Sequence, residues 1–458
     1  MKIYRSMEPI FHNPRKLLKY ILLLALVLRL AFILMLEPQG FYFSDTRHYD
    51  GAAVNLVSGD GFGEKYNRAP LYPVFMALVY SITGHSFTAV RIVEALLGVL
   101  LCVLVFHIAK RIFRESVAYI AAFFTAVFPH FILLTGILYS THLFTILLAS
   151  SLLSLLVAEE KKSPWLLLLS GGFAGLATLA IPSMFFVLPA WMLWILIRSG
   201  QTWTQKVLWV ALFALATIAV LTPWTLRNYS KYGRLTLVRP VPHTAFPNLD
   251  DLQAQKERID SGFQDTTDYL KEHPNGTDKD KVGSIVSNYI EHPGQSLRYM
   301  LSEMAHFWAL YPDRLDTQSK AYQKRIHQQD DRMVKTSSTL WRLAQTMSIV
   351  IMAPIFLLAL IGVFVGHPFR WHQLLLLLTI FSMAMGYSLI YAEVRYRIPV
   401  EPYILMFTSV GVWFLYHKLV LRSSPSPTTN ASNGRSSVSP STLKPAWQDD
   451  LQPLDHLE

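Results

Sequence analysis

The sequence is poor in charge and nearly free of cysteine. Of 458 residues, 16% are charged, against about 25% in an ordinary soluble domain. The single cysteine, Cys102, lies inside an apolar run, so no intramolecular disulfide can form. A long outer loop without cysteine fits a bacterial envelope better than a secretory pathway. What the chain has instead is apolar: 52% of it is hydrophobic and 13% aromatic. Length alone suggests roughly two or three domains, but apolar runs recur along most of the chain and overrule that. The net charge is +10. In a soluble protein that would raise nucleic acid as a partner. Here much of the excess sits in short loops and at the ends, where it orients helices, and no nucleic acid is expected.

The runs predict an all-α polytopic membrane protein of about ten spans. The first is Leu17–Leu36, with Lys2, Arg5, Arg15, Lys16 and Lys19 before it or at its start. No small-x-small cleavage site follows, so it reads as an uncleaved span rather than a signal peptide. The others are Val90–Ile108, Val117–Leu134, Ile137–Val157, Pro164–Ile181, Met184–Ile197, Val207–Leu226, Met347–Val365, Leu374–Tyr391 and Tyr403–Leu419. With the amino terminus inside, Lys110, Arg111, Arg114, Lys161, Lys162, Arg198, Lys206, Arg370, Lys418 and Arg422 all face the cytoplasm, as the positive-inside rule asks. Both termini are then cytoplasmic.

Four regions follow: spans one to seven in 1–226 with an outer loop at 37–88, an extracytoplasmic helical segment at 227–345, spans eight to ten in 346–422, and a tail at 423–458. The tail is rich in Ser, Pro, Thr and Asn and reads as disordered. In the first outer loop, Tyr49–Leu56 has amphipathic spacing, and Leu71–Ile82 is too short to span and reads as interfacial. In the second, Pro293-Gly294 opens a helical pattern through Leu297, Met300, Leu301, Met304 and Phe307.

This topology collects polar groups on the outer face: Asp45, Arg47, His48, Tyr49 and Asp50, then Arg68, Arg227, Asn228, Glu393, Arg395 and Arg397. Arginine suits phosphate through its planar, permanently charged fork, and a carboxylate among arginines can act as a general base. Adjacent spans offer a wall for a lipid tail. The competing reading is plain anchoring: arginines at span ends snorkel to headgroups, Arg397 anchors span ten, and Asp45 and Asp50 cap helices. Arg29, deep in the first span, needs a partner, and Glu94 is the expected one, as a structural pair. His130 and His142 bracket an outer turn; without an acidic third ligand they read as interfacial packing rather than a metal site. Gly59-x-Gly61-x-Gly63 lacks the strand and helix of a nucleotide loop and reads as a turn. Asn228-Tyr229-Ser230 and Asn275-Gly276-Thr277 match the glycosylation triplet, which matters only in a secretory compartment.

Four stretches carry a family resemblance: Asp45-x-x-x-Tyr49-x-x-x-Ala53-x-x-Leu56-x-x-Gly59-x-Gly61-Phe62; Arg68-Ala69-Pro70-Leu71-Tyr72-Pro73; Leu221-Thr222-Pro223-Trp224-Thr225-Leu226-Arg227-Asn228-Tyr229; and Glu393-Val394-Arg395-Tyr396-Arg397-Ile398-Pro399. His292-Pro293-Gly294 with the helix to Phe307-Trp308 is a fifth, weaker one. In this order the chain resembles the GT-C membrane glycosyltransferases, on the branch of protein O-mannosyltransferases and aminoarabinose–lipid A transferases. The resemblance implies a GT-C-like bundle with interfacial helices in the first outer loop and a small helical extracytoplasmic domain. It implies metal-independent, inverting transfer of a sugar from a polyprenyl-phosphate donor, with no other cofactor, at the outer face of a bacterial inner membrane. Asp45 matches the family's base. Arg68 and Arg395, then Arg397 and Arg227, match the residues that hold the donor phosphate. Arg47, His48, Tyr49, Tyr72 and Glu393 fall in supporting positions, with Asp50 or Glu393 available as a second carboxylate.

Two departures stand out. Many relatives carry a carboxylate at the start of span four, where this chain has Ser140-Thr141-His142-Leu143-Phe144, and an Arg-Pro where it has Ile181-Pro182. Donor lipid and membrane lipids are the expected partners; the acceptor stays open among lipid, glycan and protein. A transporter or flippase of lipid-linked sugars, and a scaffold whose arginines only anchor helices, are the rival readings.

Overall fold

The computed structural model describes residues 14–63, 66, 68–197, 202–232, 237–238, 290–291, 293–311, 338–365 and 371–421. The chain divides into two compact units, 1–414 and 415–458, and the fold described below is that of the first. The tail at 423–458, the Asn275 triplet and most of the segment 227–345 lie outside the described residues.

Among the described residues the protein is helical, with no strand. The helices are α1 (Pro14–Leu34), α2 (Ser44–Val57), α3 (Leu71–Thr83), α4 (Phe87–Ile112), α5 (Glu115–Val127), α6 (Pro129–Ile137), α7 (Ser140–Lys161), α8 (Pro164–Ala180), α9 (Met184–Ile197), α10 (Trp203–Tyr232), α11 (Pro293–Phe307), α12 (Ser338–Val365), α13 (Trp371–Ser388) and α14 (Glu401–Tyr416). Among the described residues, six helical stretches are long and apolar enough to cross a bilayer, and seven if α5 and α6 are one span bent by 45°. The expected ten is not reached by that criterion. Helices α8 and α9 fall on the expected fifth and sixth spans but have 17 and 14 residues, and α13, with 18, falls on the ninth. The expected short helices of the first outer loop are α2 and α3, and the pattern beginning at Pro293 is α11.

Close packing follows from small residues. Gly171 and Gly175, one turn apart on α8, face α10, where a side chain would run into the carbonyls of Phe213 and Thr217. This spacing brings backbones together in a membrane, where apolar burial no longer drives association. Thr217 adds a bond to the Gly171 carbonyl at 3.1 Å. Between α7 and α8, Ser151 and Ser170 each donate to the other's carbonyl, at 2.7 and 2.8 Å.

The break between α5 and α6 has an identifiable cause. Pro129 has no N–H to give the Thr125 carbonyl, and the bend also frees that of Ala126. Arg29 of α1 donates to both, at 3.4 and 3.0 Å. Gly98 makes room, because a side chain there would collide with the guanidinium. The expected Arg29–Glu94 pair is therefore absent: the fully buried Arg29 is satisfied largely by backbone, and Glu94 bonds elsewhere. Arg91 acts similarly. It donates to the carbonyls of Gly136 (3.0 Å), Glu37 (2.7 Å), Pro38 (3.2 Å) and Gly40, binding the turn after α1 to the end of α6.

Candidate active site

The candidate site gathers at one set of helix ends and the turns beside them. Helix α2 begins after Phe43, which makes no side-chain cap, and Asp45 lies in its first turn. Asp45 is thus not the cap that its position suggested. Its Oδ1 is 2.7 Å from Arg68 Nη1, and its Oδ2 accepts from the Tyr139 hydroxyl at 3.1 Å. The two ion-pair partners keep about a fifth and a quarter of their side chains exposed, 21% for Asp45 and 25% for Arg68. Burial alone would raise the Asp45 carboxyl, but Arg68, Arg395 and the Tyr139 hydroxyl outweigh it and hold the group below the usual carboxylate range. Burial likewise works against the Arg68 charge, and Asp45, helped by Tyr49, Tyr139 and Tyr66, more than offsets it.

Arg395 arrives from the far end of the chain. It sits in a 3-10 turn, Val394–Tyr396, with its Nε 2.6 Å from Glu393 and its Nη1 3.5 Å from the Tyr139 hydroxyl. Its guanidinium lies over the rings of Tyr139 and Tyr396, at 5.8 and 5.2 Å. Helix α11 holds this turn. Tyr299 donates to the Ile390 carbonyl at 2.6 Å, and Glu303 accepts from the Ala392 N–H at 2.7 Å. Arg397 completes the attachment from below. It is fully buried, bonds the Phe307 and Ala309 carbonyls at 2.9 and 2.7 Å, and pairs with Glu401 at 3.2 Å. Glu401 also takes His130 at 2.8 Å. So Asp45, Arg68, Arg395 and Glu393 are joined through Tyr139, while Arg397 is engaged with backbone.

Arg227 takes a third place. Its guanidinium stacks on Trp224 at 4.4 Å and on Phe62 at 5.5 Å, and it donates to Asn228 at 3.2 Å. Phe62 stacks in turn on Tyr66, whose hydroxyl bonds the Ala69 carbonyl at 2.8 Å. Gly59, Gly61 and Gly63 all have positive φ (87°, 66° and 75°), which lets the chain after α2 fold back as the expected turn. The loop that presents Arg68 is therefore pinned to α10. Asn228 is fully buried within α10, so its triplet presents no exposed acceptor.

The supporting tyrosines form a ladder: Tyr139 against Tyr49 at 6.0 Å, Tyr49 against Tyr72 at 5.2 Å. Tyr49 shares a bond with Ser140 at 3.3 Å, and Tyr72 donates to Glu94 at 3.0 Å. Glu94 also pairs with His142, both fully buried. His142 is thus not an interfacial residue; it joins a carboxylate that α4 supplies. Asp50 is likewise no cap, since it accepts from Tyr80 at 2.9 Å and His85 at 2.8 Å. Arg47 and His48 are exposed on α2; partial burial and Arg68 lower the His48 imidazole. Among the described residues no three His, Cys, Asp or Glu side chains gather as metal ligands.

Sequence reasoning missed Tyr139. A tyrosine at an outer span end reads as belt. No sequence signal marks it: its place is set by its neighbour Leu138, which adopts a left-handed backbone (φ 52°, ψ 63°) that a leucine enters only at a cost.

Residues 67–225, about a third of the chain, match the family model of dolichyl-phosphate-mannose-protein mannosyltransferase. A search of curated proteins gives no match. Among solved structures, the oligosaccharyltransferase of Archaeoglobus fulgidus in its apo form is 13% identical, with a TM-score of 0.57 over 90% of this chain and 51% of its own. The same archaeon's AglB, in complex with an inhibitory peptide and a dolichol-phosphate, gives 13% and 0.56 over 92% and 52%. ArnT of Cupriavidus metallidurans, bound to undecaprenyl phosphate, gives 13% and 0.52 over 86% and 59%. The chain thus has the GT-C fold of membrane glycosyltransferases and is an integral membrane protein. It spans little more than half the length of these structures.

Proposed function

We propose that the protein is an inverting glycosyltransferase that moves a sugar from a polyprenyl-phosphate donor to an acceptor hydroxyl at the outer face of a bacterial inner membrane. The observation that carries this reading is the Asp45 carboxylate 2.7 Å from Arg68, with Arg395 joined to it through Tyr139. The acceptor oxygen attacks the anomeric carbon and gives its proton to Asp45 as the carbon–oxygen bond to phosphate breaks. The departing phosphate passes from one negative charge towards two. Arg68 and Arg395 stabilise that gain most in the transition state. Asp45 pairs with Arg68. A donor phosphate competes for that guanidinium, and the carboxylate it releases becomes a stronger base. Arg227, stacked on Trp224, and Arg397, bound to backbone, serve by fixing the loops that present Arg68 and Arg395. Tyr49, Tyr72 and Glu393 support them, and Arg47 and His48 line the approach.

The transport reading draws nothing from the intramembrane charges, since Arg29 and Glu94 are both engaged within the helix bundle. The test is donor turnover. Purified protein in nanodiscs receives a panel of radiolabelled polyprenyl-phosphate sugars and an envelope extract. Label should pass to an acceptor and fall about 100- to 10,000-fold in Asp45→Asn, the range for a lost general base. A folded Asp45→Asn that transfers at the wild-type rate would overturn the assignment of the base, and label that crosses a vesicle membrane without covalent transfer would favour transport.

A further inference from the structure

Among the described residues, the phenol of Tyr139 contacts both Asp45 and Arg395. It gives its single proton to Asp45 Oδ2 at 3.1 Å and faces Arg395 Nη1 at 3.5 Å. Its direction is therefore set: arginine to phenol oxygen, phenol proton to carboxylate. Burial pushes this phenol well above its usual range, with Arg395 opposing and Asp45 reinforcing, so it stays a proton donor. Its position is built rather than incidental. Leu138 turns the chain through the left-handed region just before it, and Thr46, the residue after Asp45, donates to the carbonyls of Ile137 and Leu138 at 3.2 and 3.3 Å. The helix that carries the carboxylate thereby clasps the strained turn that carries the phenol.

Resting on the function proposed above, we infer that Tyr139 is a positioning residue that couples occupation of the phosphate subsite to the basicity of Asp45. Through its contact with the phenol oxygen, Arg395 polarises the phenol and strengthens its bond to the carboxylate. When a donor phosphate draws Arg395 away, the phenol becomes a weaker donor and Asp45 a stronger acceptor. The base is thus quiet until the leaving group is in place, which guards against idle proton transfer. The charged or titratable groups that face Asp45 are Arg68 from the loop after α2, His48 from its own helix, Tyr139 from the turn before α7, and Arg395 from the 3-10 turn.

Tyr139→Phe keeps the ring and removes the coupling. The expected result is a fall of about 10- to 100-fold in kcat/KM at pH values on the acid limb, the range for a hydrogen bond to a charged group, with kcat and donor KM at neutral pH changed less than about threefold. The acid limb of kcat/KM, which reports the free enzyme, should thus move up, while the limb of kcat, which reports the donor-bound enzyme, should hardly move. Thr46→Val, which keeps the shape of the side chain and cannot hold the turn, should move the kcat/KM limb in the same direction by less. If folded Tyr139→Phe and Thr46→Val both keep the wild-type acid limb of kcat/KM, while Asp45→Asn is inactive, the coupling is wrong and the base assignment stands. If Asp45→Asn is active, it is the underlying reading that fails.

Discussion

Arginine does two different jobs in this molecule, and its partners tell them apart. Arg29 and Arg91 are buried to 1% exposure or less and donate to backbone carbonyls, and the equally buried Arg397 divides its donors between two carbonyls and the buried Glu401 carboxylate. Most of these carbonyls belong to irregular chain at a helix end or turn, which the bilayer could not otherwise satisfy. Arg68 and Arg395 keep 25% and 28% of their side chains exposed and face carboxylates. A carbonyl or a carboxylate pair sealed in the bundle is fixed by the fold, whereas the carboxylate partner of a partly exposed arginine can be exchanged for a phosphate at modest cost. The lesson is that the charge alone says nothing about role; the partner and its exposure do.

The sharpest break of this comparison is a pair of variants. Arg91→Met should unfold the protein or lower its midpoint in detergent severely, because it orphans carbonyls at about 1–3 kcal/mol each. Arg68→Ala should melt near the wild type and lose about 100- to 1,000-fold in transfer, as expected for a lost transition-state charge contact. Thermal unfolding and donor turnover on the same two preparations check both. A folded, active Arg91→Met would end the division.

Next in size is the pH response. Asp45 is held below the usual carboxyl value of about 3.9, so kcat/KM should stay flat down to that region and fall only below it. The sign follows from the charged form being the favoured one: the stability that this pair adds is present above the unfolded value and is lost as pH falls through the folded one. In Arg68→Ala burial remains while the main counter-charge goes, and the limb should move up. A limb that does not move would take Arg68 away from Asp45 in solution.

The smallest effect concerns the buried pair under the tyrosine ladder. Glu94→Gln still accepts from Tyr72 but gives His142 no charge. We expect a loss of about 1–3 kcal/mol in unfolding and only a few-fold in transfer, since Glu94 touches the site only through Tyr72 and Tyr49. Denaturation followed by intrinsic fluorescence, with turnover alongside, measures both.

Much of the architecture was legible in the order of apolar runs, because a span has to be apolar whatever it packs against. Even the break at Ile181-Pro182 falls between α8 and α9. The count was less legible, because a run of 14 or 17 residues has no fixed meaning until its neighbours are known. Asp45 and Arg68 stood out because their motifs place them beside a turn and a proline. The partner of Arg29 did not, since a sequence displays side chains and the partners here include backbone carbonyls freed at Pro129. The Phe128-Pro129 step was visible, but only geometry shows which guanidinium reaches it. Tyr139 was hidden for a similar reason: its role comes from a backbone conformation at Leu138 that no residue preference announces.

The bond between Arg29 and the break at Pro129 also has a bearing on how the protein is made. The first span leaves the ribosome roughly a hundred residues before the helices that will receive its guanidinium. Until then it carries an unanswered cation in the bilayer, at about 2.5–3.5 kcal/mol on insertion scales. A fragment carrying α1 without α5 and α6 should therefore insert less efficiently than the same fragment with Arg29→Leu, and the difference should shrink when α5 and α6 are present.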